Sequence, residues 1–341
     1  MILNGQLPAS ITQAAQALQR GDLLGLPTET VYGLAADAGN DAAVGKIFQA
    51  KGRPSNHPLI VHVASVQGAQ RFASDIPEFA QKLMTAFWPG PLTLILPRQA
   101  DQAAVAAGGQ NSVGLRCPSH PLAQTVLCEA EALGVMGVAA PSANLFGRVS
   151  PTTAAHVASE FGEGLLILDG GACEVGIEST IVDCTRGEPV LLRPGLLTPE
   201  QLEAACGVPV KVPSQPDASA PRASGTLASH YAPKARVRLM SVTEMQDALR
   251  TLTHLVSSEP TASVGIVLWT RSPALGMMAC PPKVQQVRMP SDPVQCAHAL
   301  FAQLRTFDNT GFDEIWVEQP PDLPAWAGVF DRLTRAAATD R

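Results

Sequence analysis

The sequence predicts an α/β protein of two domains, and three observations carry that reading. Its 341 residues are long for one domain and suit two. Short apolar runs of strand length alternate with helical patterns along the chain. Near residue 212 the alternation breaks at VPSQPDASAPRASGT (212–226), which has almost no large apolar residue and reads as a linker. The expected boundaries are a first domain over 1–211, a linker over 212–233 and a second domain over 234–341.

Composition narrows the function classes. Hydrophobic residues make up 46% and charged residues 16%, which supplies two cores and argues against disorder. A net charge of −6 argues against a broad basic face for nucleic acid, though a local patch stays open. The seven cysteines form no C-x-x-C pair, the usage of a reducing cytosol rather than a disulfide scaffold or a zinc site. The N-terminus has no basic segment followed by an apolar one, and no apolar run reaches membrane-spanning length. A cytoplasmic protein with no membrane partner is expected.

In chain order, Ser10–Arg20 reads as a short amphipathic helix. The Leu23–Leu26 strand runs into Pro27-Thr28-Glu29-Thr30-Val31-Tyr32-Gly33, where hydroxyls and a carboxylate follow a core strand, the place where open α/β sheets bind ligands. Thr28 and Thr30 are also plausible helix caps, but Glu29 and Tyr32 exceed what a cap needs. A helix over 41–50 delivers Lys51 and Arg53, two cations in a loop stiffened by Pro54 and Pro58. That pair suits an anion and equally suits the solvated end of a helix. Leu59–Val63 is a strand containing His62. A helix over 77–87 and the turn Trp88–Pro91 lead to the strand Leu92–Leu96.

Ser112–Arg116 reads as a buried strand ending in an arginine, either paired with an internal acid or aimed at an anionic ligand. A helix over 119–133 and a strand over 135–139 precede the small-polar loop Ala140–Asn144. Ser150 is expected as N-cap with Pro151 at the first helical position, an arrangement that also binds phosphate. Strands over 165–168, 178–183 and 190–192 follow, the last ending in Arg193. Beyond 234, strands over 237–240, 264–269 and 314–318 alternate with helices over 242–255, 293–307 and 326–337, so a parallel sheet with crossover helices is expected.

Thr28, Thr30, Lys51, Arg53, Arg116, Ser142, Asn144, Ser179, Thr180 and Arg193 thus lie at or near strand ends. If those ends converge, they suit a nucleotide plus a small carboxylate. Covalent catalysis is not indicated: G-x-S-x-G, H-E-x-x-H, Walker A and G-x-G-x-x-G patterns are all absent.

LPTETVYGLAADA (26–38), KGRPSNHPLIVHV (51–63), FWPGPLTLIL (87–96), VGLRCP (113–118), APSAN (140–144), SPT (150–152), ESTIVD (178–183) and LLRPG (191–195) occur in this order. Together they resemble the YrdC-like threonylcarbamoyl-AMP synthases over about residues 8–210. The resemblance implies a YrdC-like twisted mixed sheet followed by a smaller Rossmann-like domain. It implies formation of threonylcarbamoyl-adenylate from L-threonine, bicarbonate and ATP, with pyrophosphate released and the product passed to the machinery that threonylcarbamoylates tRNA.

By position, Thr30, His62, Arg116, Ala140 and Ser179 match the family's threonine-binding places. Arg53, His57, Ser112, Ser142, Ser150 and Arg193 match its ATP-binding places, with Asn144 beside them and Lys51 matching an active-site lysine. The family commonly has Asn where this chain has His57, and proline where it has Ser224, which implies a looser hinge. In long members a stretch ending in HYAP folds over the active site, and Tyr231 matches the tyrosine that reaches the nucleotide.

On this reading Lys51, Arg53 and Arg193 offset charge on phosphate oxygens, and Arg116 clamps the threonine carboxylate. Mg²⁺ is expected with ATP, held largely by the nucleotide, and no metal site of the protein's own is expected. Two other classes stay open: a module binding structured RNA, including weak contact with tRNA, and carbamoyl transfer to another acceptor.

Overall fold

The computed structural model describes every residue except 216, 218, 227–229, 259–263, 279 and 339–341, with backbone alone for 256–258. The chain divides into two compact units, one of residues 1–146 and 150–226, the other of 147–149 and 227–341. Of the segment read as linker and lid, 212–226 belongs with the first unit and 227–233 with the second.

The first unit contains strands β1 (Ile2–Asn4), β2 (Leu24–Leu26), β3 (Gly33–Asp37), β4 (Ile60–His62), β5 (Leu92–Pro97), β6 (Ser112–Arg116), β7 (Val138–Ala139), β8 (Leu166–Asp169), β9 (Thr180–Asp183) and β10 (Val190–Arg193). They form one sheet in the order β1-β8-β2-β3-β7-β4-β6-β5-β9-β10. It is mixed: β4 runs parallel to β6 and β5 to β9, whereas β3 is antiparallel to both neighbours.

Helices α1 (Pro8–Gln19), α2 (Asp41–Lys51), α3 (Val66–Ala69), α4 (Glu78–Phe87), α5 (Pro121–Ala132), α6 (Ala154–Phe161) and α7 (Pro199–Cys206) accompany the sheet. Leu34, Ile47, Val61, Leu94 and Leu115 belong to one core cluster, and Leu18, Leu24, Val126 and Leu168 to another.

Local chemistry sets the ends that matter. The Asn40 side chain accepts from Ala43 N to start α2, and Gly52, left-handed at φ 61°, ends it and turns the chain toward Arg53. Gly33 opens β3 because a side chain there would meet Ala140 Cβ at 3.0 Å. The expectation for Ser150 needs correction. The helix begins at Ala154, and Thr153 is its N-cap, its side chain accepting from His156 N. The Pro151 carbonyl accepts from Tyr32 N at 2.9 Å, which ties that stretch to the loop after β2.

The second unit holds β11 (Arg236–Met240), β12 (Ile266–Thr270), β13 (Val284–Arg288) and β14 (Glu314–Glu318), all parallel, in the order β11-β14-β12-β13. Helices α8 (Val242–Ser258), α9 (Pro273–Gly276), α10 (Pro293–Thr310) and α11 (Ala327–Ala337) complete it. Met245, Leu249, Leu268, Leu275 and Trp316 form its core.

Candidate active site

The loop between β2 and β3 carries the first group of site residues. Thr28 Oγ1 lies 2.9 Å from Thr30 Oγ1 and donates to the Val31 carbonyl at 2.6 Å. Glu29 Oε1 lies 2.7 Å from Arg116 Nη2, with both side chains 4% exposed. Of the two partners the sequence left open for Arg116, the structure supplies the internal acid. Arg116 Nε also donates to the Gly90 carbonyl at 3.3 Å.

His62 stands opposite Arg116 in the parallel β4–β6 pair. Burial, and then the charge of Arg116, pushes its imidazole down to about 3, so His62 is neutral at physiological pH. Its Nδ1 has no hydrogen-bond partner among the described residues.

A second group forms where β9 and β10 end. Arg193 is buried and donates from Nε and Nη2 to the Ser179 carbonyl at 3.0 and 2.8 Å, and from Nη2 to Ser179 Oγ at 3.1 Å. Ser179 Oγ in turn lies 2.7 Å from Thr93 Oγ1. The remaining Arg193 nitrogen donates to the Ser224 carbonyl at 2.8 Å. Arg53 Nη2, which donates to the Pro58 carbonyl at 2.9 Å, reaches Ser224 Oγ at 3.4 Å. Two guanidinium groups from distant stretches of the chain thus meet on one residue. Ser224, where the family commonly has proline, makes specific contacts here. Its polar atoms tie it to both arginines, while Arg222 and Gln110 exchange two hydrogen bonds beside it. Ser112 lines a narrow pocket here with Thr93, Ile181 and Ala223.

Lys51 is tied to the loop after β7. Its buried Nζ donates to the carbonyls of Ser142 and Asn144 at 2.6 and 2.5 Å. Burial, and then neighbouring Arg53, holds its pKa well below the ordinary lysine value. Lys51 therefore fixes the 140–146 loop, whose Phe146 N also donates to the Lys51 carbonyl. Ala140 N donates to the Ile60 carbonyl at 3.0 Å, which docks the start of that loop on β4.

His57 packs edge-on against Phe146 with ring centroids 5.5 Å apart, and the Arg53 guanidinium lies 5.7 Å from the same ring. Burial, followed by the charges of Arg53 and Arg222, lowers the His57 pKa. Ser150 Oγ donates to Glu178 Oε1 at 2.5 Å.

Tyr231 belongs to the second unit, in left-handed backbone at φ 61°. Its ring lies 5.3 Å from Phe301 and 5.6 Å from the Arg332 guanidinium.

Among the described residues no three His, Cys, Asp or Glu side chains cluster as a metal site. Glu178, Thr93 and the Arg-binding face of Ser224 escaped the sequence reading. Each acts through a partner remote in sequence, and only the polar strand ends hinted at them.

A mixed sheet whose strand ends carry two arginines, a hydroxyl pair and a buried carboxylate–guanidinium pair is the α/β arrangement expected of the YrdC-like class. Two family models match the chain: one described as "Telomere recombination" (Sua5, YciO and YrdC) over residues 16–195, the other as "Threonylcarbamoyl-AMP synthase, C-terminal domain" over 197–338. The chain belongs to the Sua5 family of threonylcarbamoyl-AMP synthases, in its long two-domain form.

It is 38% identical over 331 residues to the threonylcarbamoyl-AMP synthase of Bacillus subtilis (strain 168), covering 96% of this chain and 92% of that protein. It is likewise 38% identical over 332 residues to that of Pyrococcus abyssi (strain GE5 / Orsay), covering 95% and 93%. A crystal structure of P. abyssi Sua5 complexed with L-threonine superposes with a TM-score of 0.85 at 33% identity, over 99% of this chain and 97% of that one.

Proposed function

We propose that this chain synthesises L-threonylcarbamoyladenylate from L-threonine, bicarbonate or CO₂, and ATP, and that the adenylate feeds threonylcarbamoyl modification of tRNA. The observation that carries this reading is the meeting of Arg53 and Arg193 on Ser224. Both belong to the unit that holds the Glu29–Arg116 pair. The two arginines supply planar donors for phosphate oxygens, and Arg116 supplies one for an amino-acid carboxylate.

The chemistry needs positioning more than a nucleophilic side chain. The free amine of threonine attacks CO₂, forming the N–C bond and releasing a proton, which gives a carbamate. A carbamate oxygen attacks the α-phosphorus of ATP, the bond from that phosphorus to the bridging oxygen breaks, and pyrophosphate leaves. Holding carbamate and phosphate in line, and neutralising charge as pyrophosphate departs, is the work of the arginines. Lys51 acts one step back, by fixing the loop that carries Ser142 and Asn144.

Mg²⁺ would arrive with the polyphosphate and neutralise part of its charge. The described residues offer no cluster of His, Cys, Asp or Glu side chains to hold it, so the nucleotide would be its main ligand. No helix among the described residues is long and apolar enough to cross a membrane.

The test is pyrophosphate release from ATP and bicarbonate with each amino acid in turn. Release that depends on threonine, with the adenylate identified by mass, supports the proposal. Release with carbamoyl phosphate and no threonine would favour carbamoyl transfer. RNA binding without any release would favour the RNA module.

A further inference from the structure

Glu29 is a buried ionisable group of the first unit whose carboxylate acceptors are not accounted for among the described residues. Its carboxylate faces Arg116 at 2.7 Å, yet neither of its oxygens, nor Arg116 Nη2, has a well-directed hydrogen bond among the described residues. An ionised carboxylate has about four acceptor positions, and burial is costly unless most are met. The backbone around it is settled: Val175 N donates to the Glu29 carbonyl at 2.7 Å, and Gly176 N to that of Thr30 at 3.1 Å. The loop therefore holds the side chain in place while its acceptors stay unused, beside a guanidinium that also has capacity to spare. A carboxylate and a guanidinium side by side, both underused and both enclosed, match a zwitterion.

We infer that Glu29 is a substrate-binding residue that receives the α-ammonium group of the amino acid while Arg116 takes its carboxylate. This rests on the proposed reading of Arg116 as the partner of the threonine carboxylate. In the zwitterion the two charged groups share one carbon, so neighbouring protein groups of opposite charge fix its direction. That direction leads the nitrogen, once its proton is lost, toward the carbon it must attack. Glu29 does not enter the bond-making steps.

The experiment uses the full chain with Glu29→Gln, which keeps the shape and removes the charge. The KM for threonine and for ATP is measured, along with competitive inhibition by 3-hydroxybutyrate, which is threonine without its amine. A charge-assisted hydrogen bond corresponds to about a tenfold effect or more. E29Q should raise the threonine KM by at least about tenfold, leave that for ATP within about threefold, and weaken 3-hydroxybutyrate by no more than about threefold. Equal weakening of threonine and 3-hydroxybutyrate would overturn the inference, placing Glu29 behind Arg116 alone. So would an unchanged threonine KM. If E29Q does not fold, Glu29→Asp is read in the same way, with the same split expected at smaller size. Failure of the subsite reading itself has a separate mark: Arg116→Lys would then alter the ATP dependence and spare that of threonine.

Discussion

At the carboxyl ends of β12 and β14 in the second unit, Glu318 accepts from Thr270 Oγ1 at 2.6 Å, Arg271 N at 2.7 Å, Arg271 Nη2 at 2.8 Å and Ser272 N at 3.0 Å. Arg271 lies over Trp326 at 5.0 Å and donates again from Nη2 to the Gln319 carbonyl, while its buried Nε has no partner among the described residues. Glu29 in the first unit sits against an arginine just as closely and accepts no hydrogen bond from the described residues. The same pair of residue types thus serves two ends. Where the lone pairs are filled from within, the pair is a structural clasp. Where they are left unfilled by the described residues, a ligand that fills them recovers the cost of burial. Residue type at a strand end does not distinguish the two cases; the count of donors does.

The comparison can be broken most forcefully at Arg53. Arg53→Ala should lower threonine-dependent pyrophosphate release by about a hundredfold or more, the scale of one preorganised donor lost from a developing charge. Near-normal turnover in a folded variant would remove Arg53 from the site. Arg116→Lys should raise the threonine KM by about tenfold with ATP little changed, because an ammonium cannot reproduce a two-bond grip.

The second unit's clasp should answer the opposite way. Glu318→Gln should cost about 2 kcal/mol of stability by leaving buried donors unmet, and both KM values should stay at wild-type level. A threonine or ATP defect in that variant would show that the second sheet's strand ends also meet substrate.

A smaller effect follows from His62. Its folded pKa of about 3 lies below the ordinary histidine value of 6.5, so the unfolded chain binds the extra proton first. Stability from this group is complete above about pH 6.5 and falls as pH drops toward 3. His57, also shifted down, adds in the same direction. Between pH 6.5 and 5 the loss should approach about 1.4 kcal/mol per pH unit for one proton. His62→Gln should flatten that slope in urea unfolding followed over this range.

Much of the site was legible because apolar runs ending in polar residues are visible without a structure. Arg193 and Arg116 fall where those runs stop, and Ser179 just before one begins. What stayed hidden depended on backbone atoms, which have no identity in a sequence. Lys51 reads as a phosphate-facing cation, and nothing in its sequence shows that it also donates to the Ser142 and Asn144 carbonyls.

Strand β3 was missed because GLAAD has small residues of low strand propensity, used here for the close approach of Gly33 to Ala140. Strand β13, VQQVR, was missed because it lies at the edge of its sheet, where two glutamines replace the apolar run of a central strand. Ser150 drew the N-cap assignment because Ser-Pro is a common helix start. Three hydroxyl residues compete there, and the bond from Tyr32 N to Pro151 leaves the role to Thr153.

The most direct test of the account is hydrogen exchange of the full chain with and without ATP and L-threonine, read peptide by peptide. The account predicts that protection rises over 28–32, 112–116, 140–150 and 179–193 and leaves 270–272 and 318–319 unchanged. Protection gained at 270–272 and 318–319 while the first unit's strand ends stay unaltered would contradict it.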